Sequence, residues 1–279
     1  MSSIRWLGDD DCHHDAIVGG KAGSLSRLAA IHTVPHGFAI PALPAMSALP
    51  DTLVTMIGHA YLTLGERCGT ADPAVAVRSS AIDEDGVDSS FAGQHDTYLN
   101  IRGVDAVLDA IVRCARSAAS PVALAYRQQR GLPVDDPRIA VLVQQLVPAD
   151  VAAVVFSANP VTGSRDEVMI NANWGLGESI VGGSATPDTF LVSKEPLAVS
   201  WRDVARKERM TVMTAGGTTE ADVPPELQMA PSLDDDQIRA MTQLALRLEQ
   251  LLGHPVDVEC AIAGKQLFLL QCRPITTLR

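Results

Sequence analysis

Near the C-terminus, two short runs place oxygen ligands and a cation at strand spacing. In Asp257-Val-Glu259-Cys-Ala261, alternation puts both carboxylates on one face and Val256, Val258, Cys260 and Ile262 on the other. In Leu269-Leu-Gln271-Cys-Arg273, Gln271 and Arg273 share a face. Ala263-Gly-Lys-Gln266 between them reads as a tight turn, and a three-residue loop would set Ala263 opposite Leu267 and Glu259 opposite Gln271. A carboxylate and an amide oxygen brought together this way suit Mg²⁺, which takes hard oxygens and completes its shell with substrate phosphates. Arg273 would then stand beside those phosphates. The same pattern also fits the solvated face of an edge hairpin, and a one-residue slip exchanges the faces.

Two further stretches carry placed cations. Val77-Arg78-Ser79-Ser80 ends a short alternating run and enters a small-residue loop containing Asp83-Glu-Asp-Gly86 and Phe91-Ala-Gly93-Gln94. An arginine there can hold phosphate together with backbone amides; the acidic triplet equally fits a surface turn with a local ion pair. Gly19-Gly-Lys21-Ala-Gly23 precedes a run of helical spacing, where helix-start amides and Lys21 would attract an anion. It is not a Walker A loop, and by itself it reads as well as an ordinary turn. None of the seven histidines is spaced with Cys or carboxylates as a metal site, and neither a nucleophile elbow nor an H-E-x-x-H motif occurs.

These groups work inside an acidic chain. With 22 Lys plus Arg against 33 Asp plus Glu, the net charge is −11. General attraction to nucleic acid is therefore not expected, and an anionic substrate must be held by placed cations. The five cysteines are scattered without C-x-x-C spacing, which reads as reduced thiols. No apolar run approaches the roughly 20 residues that span a bilayer, and no signal core follows the start. The expectation is a cytoplasmic protein without membrane or nucleic-acid partners.

The elements that must position the groups follow from periodicity. Helices are expected over 45–66, over 104–119 and from a Ser232-Leu-Asp-Asp235 cap to about residue 252. Strands are expected over 74–78, 97–101, 139–143, 151–156, 167–171, 256–262 and 266–273. Asn159-Pro-Val-Thr-Gly163 is a turn, and Trp174-Gly-Leu-Gly-Glu178 a second glycine loop. Strands and helices mix along the chain, so the class is α/β or α+β, and composition marks no boundary.

Taken in order, these blocks resemble a known family. Gly19-Gly-Lys-Ala-Gly-Ser-Leu with Val34-Pro-His-Gly-Phe38, Val77-Arg-Ser-Ser-Ala with Ser90-Phe-Ala-Gly-Gln94, and Thr97-Tyr-Leu-Asn100 look like the opening of the nucleotide-binding module of phosphoenolpyruvate synthase, pyruvate phosphate dikinase and rifampicin phosphotransferase. Val143-Gln-Gln-Leu-Val147, Phe156-Ser-Ala-Asn-Pro-Val-Thr-Gly163, Asn173-Trp-Gly-Leu-Gly-Glu178, Thr186-Pro-Asp-Thr-Phe190 and Gln271-Cys-Arg-Pro-Ile-Thr276 continue it. The resemblance implies an α+β ATP-grasp fold with ATP held between two lobes, 1–143 and 144–279. It implies phosphate-binding cations at Lys21 and Arg78, loop contacts at Gly93 and Thr97, and an adenine contact at Gln144. It implies Mg²⁺ ligands at Glu259 and Gln271 and a catalytic role for Arg273, with Arg78 and Lys21 assisting.

Three departures qualify that expectation. The stretch between Phe38 and Ala74 is shorter than the family's, Ala152-Ala153 stands where the family has Ser-Gly, and no segment resembles the family's swivelling histidine domain or its third domain. The expected activity is Mg-ATP-dependent phosphoryl transfer, either to a small-molecule acceptor or to a histidine carrier on a separate chain. The alternative is a non-catalytic ATP-binding regulatory module.

Overall fold

Alternating and continuous apolar runs rich in Val, Ile and Ala build two antiparallel sheets, the frame of this computed structural model, which describes residues 4–46, 48–81, 97–129, 131, 133–276 and 278. The chain divides into two compact units, Met1–Leu146 with Ala215–Gly217, and Val147–Thr214 with Thr218–Arg279. Helices and antiparallel sheets in both make the class α+β.

In the first unit the elements run β1 (Arg5–Trp6), α1 (Asp15–Leu28), β2 (Gly37–Pro44), α2 (Asp51–Cys68), β3 (Val75–Ser80), β4 (Thr97–Ile101), α3 (Val104–Ser117), α4 (Pro121–Gln129) and β5 (Arg138–Gln145). The sheet order is β1-β2-β5-β3-β4. One face carries Phe38, Ile40, Val75, Val77, Val141 and Val143, buried against Leu53, Ile57 and Leu64 of α2 and Val107, Ile111 and Cys114 of α3. At about 1.5–3 kcal/mol for each large apolar side chain removed from water, this cluster dominates the unit's stability. The opposite face, with Ala39, Ala76, Ala140 and Leu142, is small enough for α1 to lie close upon it. β2 was not anticipated: its two prolines obscure the period, yet it pairs with β5 across a register shift between Ile40 and Leu43.

The second unit continues with β6 (Val151–Phe156), β7 (Glu167–Trp174), α5 (Glu178–Val181), β8 (Asp188–Ser193), β9 (Ala198–Asp203), β10 (Arg209–Thr214), β11 (Gly217–Asp222), α6 (Pro225–Gln228), α7 (Asp235–Leu252), β12 (Val256–Ala263) and β13 (Gln266–Pro274). Six strands form one sheet in the order β13-β12-β6-β7-β8-β9, and β10 and β11 form a separate ribbon. Val256, Val258, Cys260, Val155, Val168, Ile170 and Phe190 are buried on one side of the sheet, where Ile238, Met241, Ala245 and Leu248 of α7 cover β12, β6 and β7.

The cap of α7 differs from expectation. Asp234 is the N-cap, and a full capping box joins it to Gln237. Ser232 is engaged elsewhere, its backbone N–H and its hydroxyl both donating to Asp188 Oδ2 at 2.7 Å. Asp188 is fully buried with Lys207, whose Nζ lies 2.6 Å from Oδ1. Burial of two charges is tolerated here because Ala205 N–H also donates to Asp188 and Lys207 donates to the Ala205 carbonyl. The pair ties the start of β8 to the segment that feeds β10.

Candidate functional site

The sheet registers decide which of the expected residues meet. In the first unit Arg78 pairs with Thr97 on β4 and with Leu142 on β5, while Ala76 pairs with Gln144. Arg78, Thr97 and Gln144 therefore share the face opposite the apolar cluster, the face on which α1 rests. Gln144 is buried there, and its amide donates to the Pro35 carbonyl at 3.3 Å.

The glycines around Lys21 bring its stretch of α1 against the end of β3. α1 is kinked at Gly19, whose φ of 78° and ψ of 165° lie in a region open essentially to glycine alone. A Cβ at Gly19 would overlap the Ser80 carbonyl. The close approach lets Gly20 N–H donate to the Ala81 carbonyl at 3.0 Å and Ala22 N–H donate to Ser80 Oγ at 3.2 Å. Lys21, itself buried, is thus flanked by two amides clasped to the end of β3, just beyond Arg78 on the same strand. These two helix-start amides are consumed by the protein and are not available to an anion, contrary to the simplest reading of the glycine loop. Gly93 and the acidic run 83–85 lie outside the described residues.

In the second unit Glu259 pairs with Gln271 and Asp257 with Arg273. The route differs from the sequence argument. The turn is two residues long, Gly264-Lys265, with Ala263 opposite Gln266 and Gly264 at φ 60°, as the first position of a type II′ turn requires. A shorter loop alone would have moved Gln271 off Glu259. A bulge at Leu270 on β13, which falls opposite the Glu259–Cys260 step of β12, takes up one extra residue and restores the pairing. The three candidates Glu259, Gln271 and Arg273 lie on the face away from α7.

Asp257 had no assigned role, although alternation placed it with Glu259. Its Oδ2 accepts from Arg273 Nε at 2.8 Å, and Nη2 approaches the same oxygen at 2.7 Å. The guanidinium is thereby held by a carboxylate that is itself buried. Burial raises the Asp257 pKa above the ordinary carboxylate value; Arg273 opposes that rise and Glu259 adds to it. Asp257 Oδ1 is buried without a hydrogen-bond partner. Glu259, Gln271 and this oxygen make a set of hard donors with few carboxylates. Among the described residues no group of three or more His, Cys, Asp or Glu could hold a metal by itself.

Two more residues lie across the same face. From Glu259 the register runs through Val154 on β6 to Asn171 on β7 and Thr189 on β8. By contrast the Trp174-Gly-Leu-Gly-Glu178 loop is a structural joint: Gly175, at φ 75°, abuts the Thr211 carbonyl, Leu176 N–H donates to that carbonyl, and Trp174 Nε1–H donates to the Leu227 carbonyl.

Residues 42–279 match the model of the pyruvate phosphate dikinase, AMP/ATP-binding domain. The chain belongs to that family. A probable phosphoenolpyruvate synthase of Methanocaldococcus jannaschii is 42% identical over 232 residues, which are 83% of this chain and 20% of the relative. A probable phosphoenolpyruvate synthase of Archaeoglobus fulgidus is 34% identical over 99% of this chain and 42% of its own length. Rifampicin phosphotransferase of Streptomyces sviceus is 35% identical over 94% of this chain and 34% of its own. The chain thus spans less than half the length of each of these relatives. None of its described helices is long and apolar enough to cross a membrane.

Proposed function

We propose that this AMP/ATP-binding domain is the nucleotide module of an ATP-grasp phosphotransferase. It binds Mg-ATP and passes a phosphoryl group to a small-molecule acceptor or to a histidine carrier on a separate chain. The observation that carries this reading is the β12–β13 register, which sets Glu259 opposite Gln271 and Asp257 opposite Arg273 on one face of a chain in this family. Glu259 and Gln271 would hold Mg²⁺, in keeping with a donor set too sparse to keep the ion without substrate phosphates. The bound metal neutralises charge on the phosphates. Arg273, braced by Asp257, would stabilise the charge that develops on the transferring group. Lys21 and Arg78 would hold phosphate, together with Gly93 and Thr97. Gln144, its amide engaged with Pro35, would form the wall of the adenine contact. The place of work proposed is the cytoplasm, and no nucleic-acid or membrane partner is part of the reading.

The test pairs binding with turnover. Calorimetry should show ATP binding that requires Mg²⁺. Lys21→Ala and Arg78→Ala should each weaken it by about 1.5–3 kcal/mol, the worth of a hydrogen bond to a charged group. With labelled ATP and a panel of acceptors or carrier proteins, Glu259→Gln and Arg273→Ala should keep the wild-type melting temperature and lose transfer. Full transfer by either variant would refute the roles given to Glu259 and Arg273. Wild-type affinity in both cation variants would remove Lys21 and Arg78 from the site.

A further inference from the structure

Asn171 stands at mid-sheet, in the same cross-strand row as Gln271 and Glu259 and separated from Glu259 only by Val154. Its neighbour on β8 is Thr189, whose hydroxyl donates to Asn171 Oδ1 at 3.0 Å. That bond settles the orientation of the side-chain amide. With Oδ1 engaged by Thr189, the Nδ2 hydrogens donate to no described residue. Asn173, two positions on and on the same face, is used differently. It is fully buried, and its Nδ2 donates to Ser179 Oγ and to the Arg209 carbonyl, both at 3.0 Å. One asparagine of β7 is consumed in holding the glycine loop to β10, and the other presents two donors on a half-exposed surface.

We propose that Asn171 is a further nucleotide-binding residue, donating through Nδ2 to an oxygen of a metal-bound phosphate, and that Thr189 is the residue that positions it. The proposal rests on the Mg-ATP reading above. The span is right for it. Two strand spacings separate Glu259 from Asn171, about 10 Å between backbones. A glutamate side chain and a phosphate held at the proposed metal site would extend into such a gap. Val154 in between offers no polar atom to compete. An amide presenting only N–H groups selects an acceptor, and a phosphate oxygen is the acceptor that the neighbouring metal site brings.

Titration calorimetry with Mg-ATP and with AMP tests this in the intact chain. Asn171→Asp keeps the shape and the bond from Thr189 but replaces both donors with a negative charge. Asn171→Ala removes the group. Each should weaken Mg-ATP binding at least about tenfold, in line with a lost bond to a charged acceptor, and AMP binding by less. Thr189→Val should weaken Mg-ATP binding about threefold, and Thr189→Ser, which keeps the hydroxyl, should restore it. Unchanged Mg-ATP affinity in both Asn171 variants overturns the assignment, whatever happens to transfer. A Thr189→Ser protein as weak as Thr189→Val overturns the positioning role. A wild-type chain that binds no Mg-ATP overturns this inference together with the reading beneath it.

Discussion

Gly19→Ala is the substitution that examines the clasp around Lys21. The backbone there, at φ 78° and ψ 165°, costs an alanine about 1–3 kcal/mol. The new methyl group would also meet the carbonyl of Ser80, and backbone cannot swing aside as a flexible side chain can. The kink of α1 and the end of β3 must part, and the hydrogen bonds from Gly20 to Ala81 and from Ala22 to Ser80 lengthen or break. At about 1 kcal/mol for each bond, the whole loss is about 3–5 kcal/mol. That is a large share of the roughly 5–15 kcal/mol by which domains are stable. Gly69 supplies the control. It caps α2 at φ 68°, and nothing lies within 4 Å of a Cβ placed on it. Gly69→Ala should therefore show only the left-handed penalty of about 1–2 kcal/mol. Urea unfolding of both variants, followed by circular dichroism, gives the two losses. Mg-ATP titration of each at a temperature where it is folded should find Gly19→Ala weakened and Gly69→Ala unchanged. Equal destabilisation by the two variants would refute the collision, and a fully stable Gly19→Ala protein would refute the clasp itself.

Two further outcomes are expected. Lys207→Met should cost about 3–5 kcal/mol by stranding the Asp188 charge in the interior, and adding Asp188→Asn should return part of that loss; additive losses in a double-mutant cycle would show that the two charges do not depend on each other. Burial pushes the Cys12 thiol up to about 11 and the Cys260 thiol to about 12, so both stay protonated in the folded chain while unfolded thiols ionise near pH 8.5. Their contribution is complete below that pH and is lost as pH rises toward 11–12, at about 1.4 kcal/mol per pH unit for each thiol. A urea midpoint that is the same at pH 8 and pH 10 would contradict it.

Local pattern was enough for much of this protein. Local pattern located β4 and β6 to the residue and β3, β5, β12 and β13 to within a few, β3, β12 and β13 by alternation and β5 and β6 as near-continuous apolar runs. It also placed Asp257 with Glu259 and Gln271 with Arg273, since facing on a strand is a local property. The glycine-flanked Lys21, Arg78 before Ser79-Ser80 and the order of the glycine and proline blocks were enough to place the chain in its family, which the match over residues 42–279 shows. β2 with its two prolines, and β8 to β11 with their mixed polar sequences, carry no clear period, and only their partners make them strands.

What tertiary structure alone decided is how distant residues meet. The pairing of Glu259 with Gln271 rests on two features that cancel, a turn one residue shorter than expected and a bulge at Leu270. The turn has its glycine in the hairpin's own residues, but the bulge is not written there, because it is settled by what the rest of the sheet will accept. The amides beside Lys21 look free in sequence, yet they are occupied by Ser80 and Ala81, about sixty residues away along the chain. The burial of Asp188 with Lys207, among a few backbone and hydroxyl groups, is likewise set by folding, which brings together residues nineteen positions apart. Asn171 and Asn173 differ by two positions and share a face; only the neighbours brought by β8 and β10 make one a donor to the surface and the other a fastening within it. Side-chain facing is local, but the partners that occupy or release a polar group come from anywhere in the chain, and so that part of the site becomes visible only in the folded molecule.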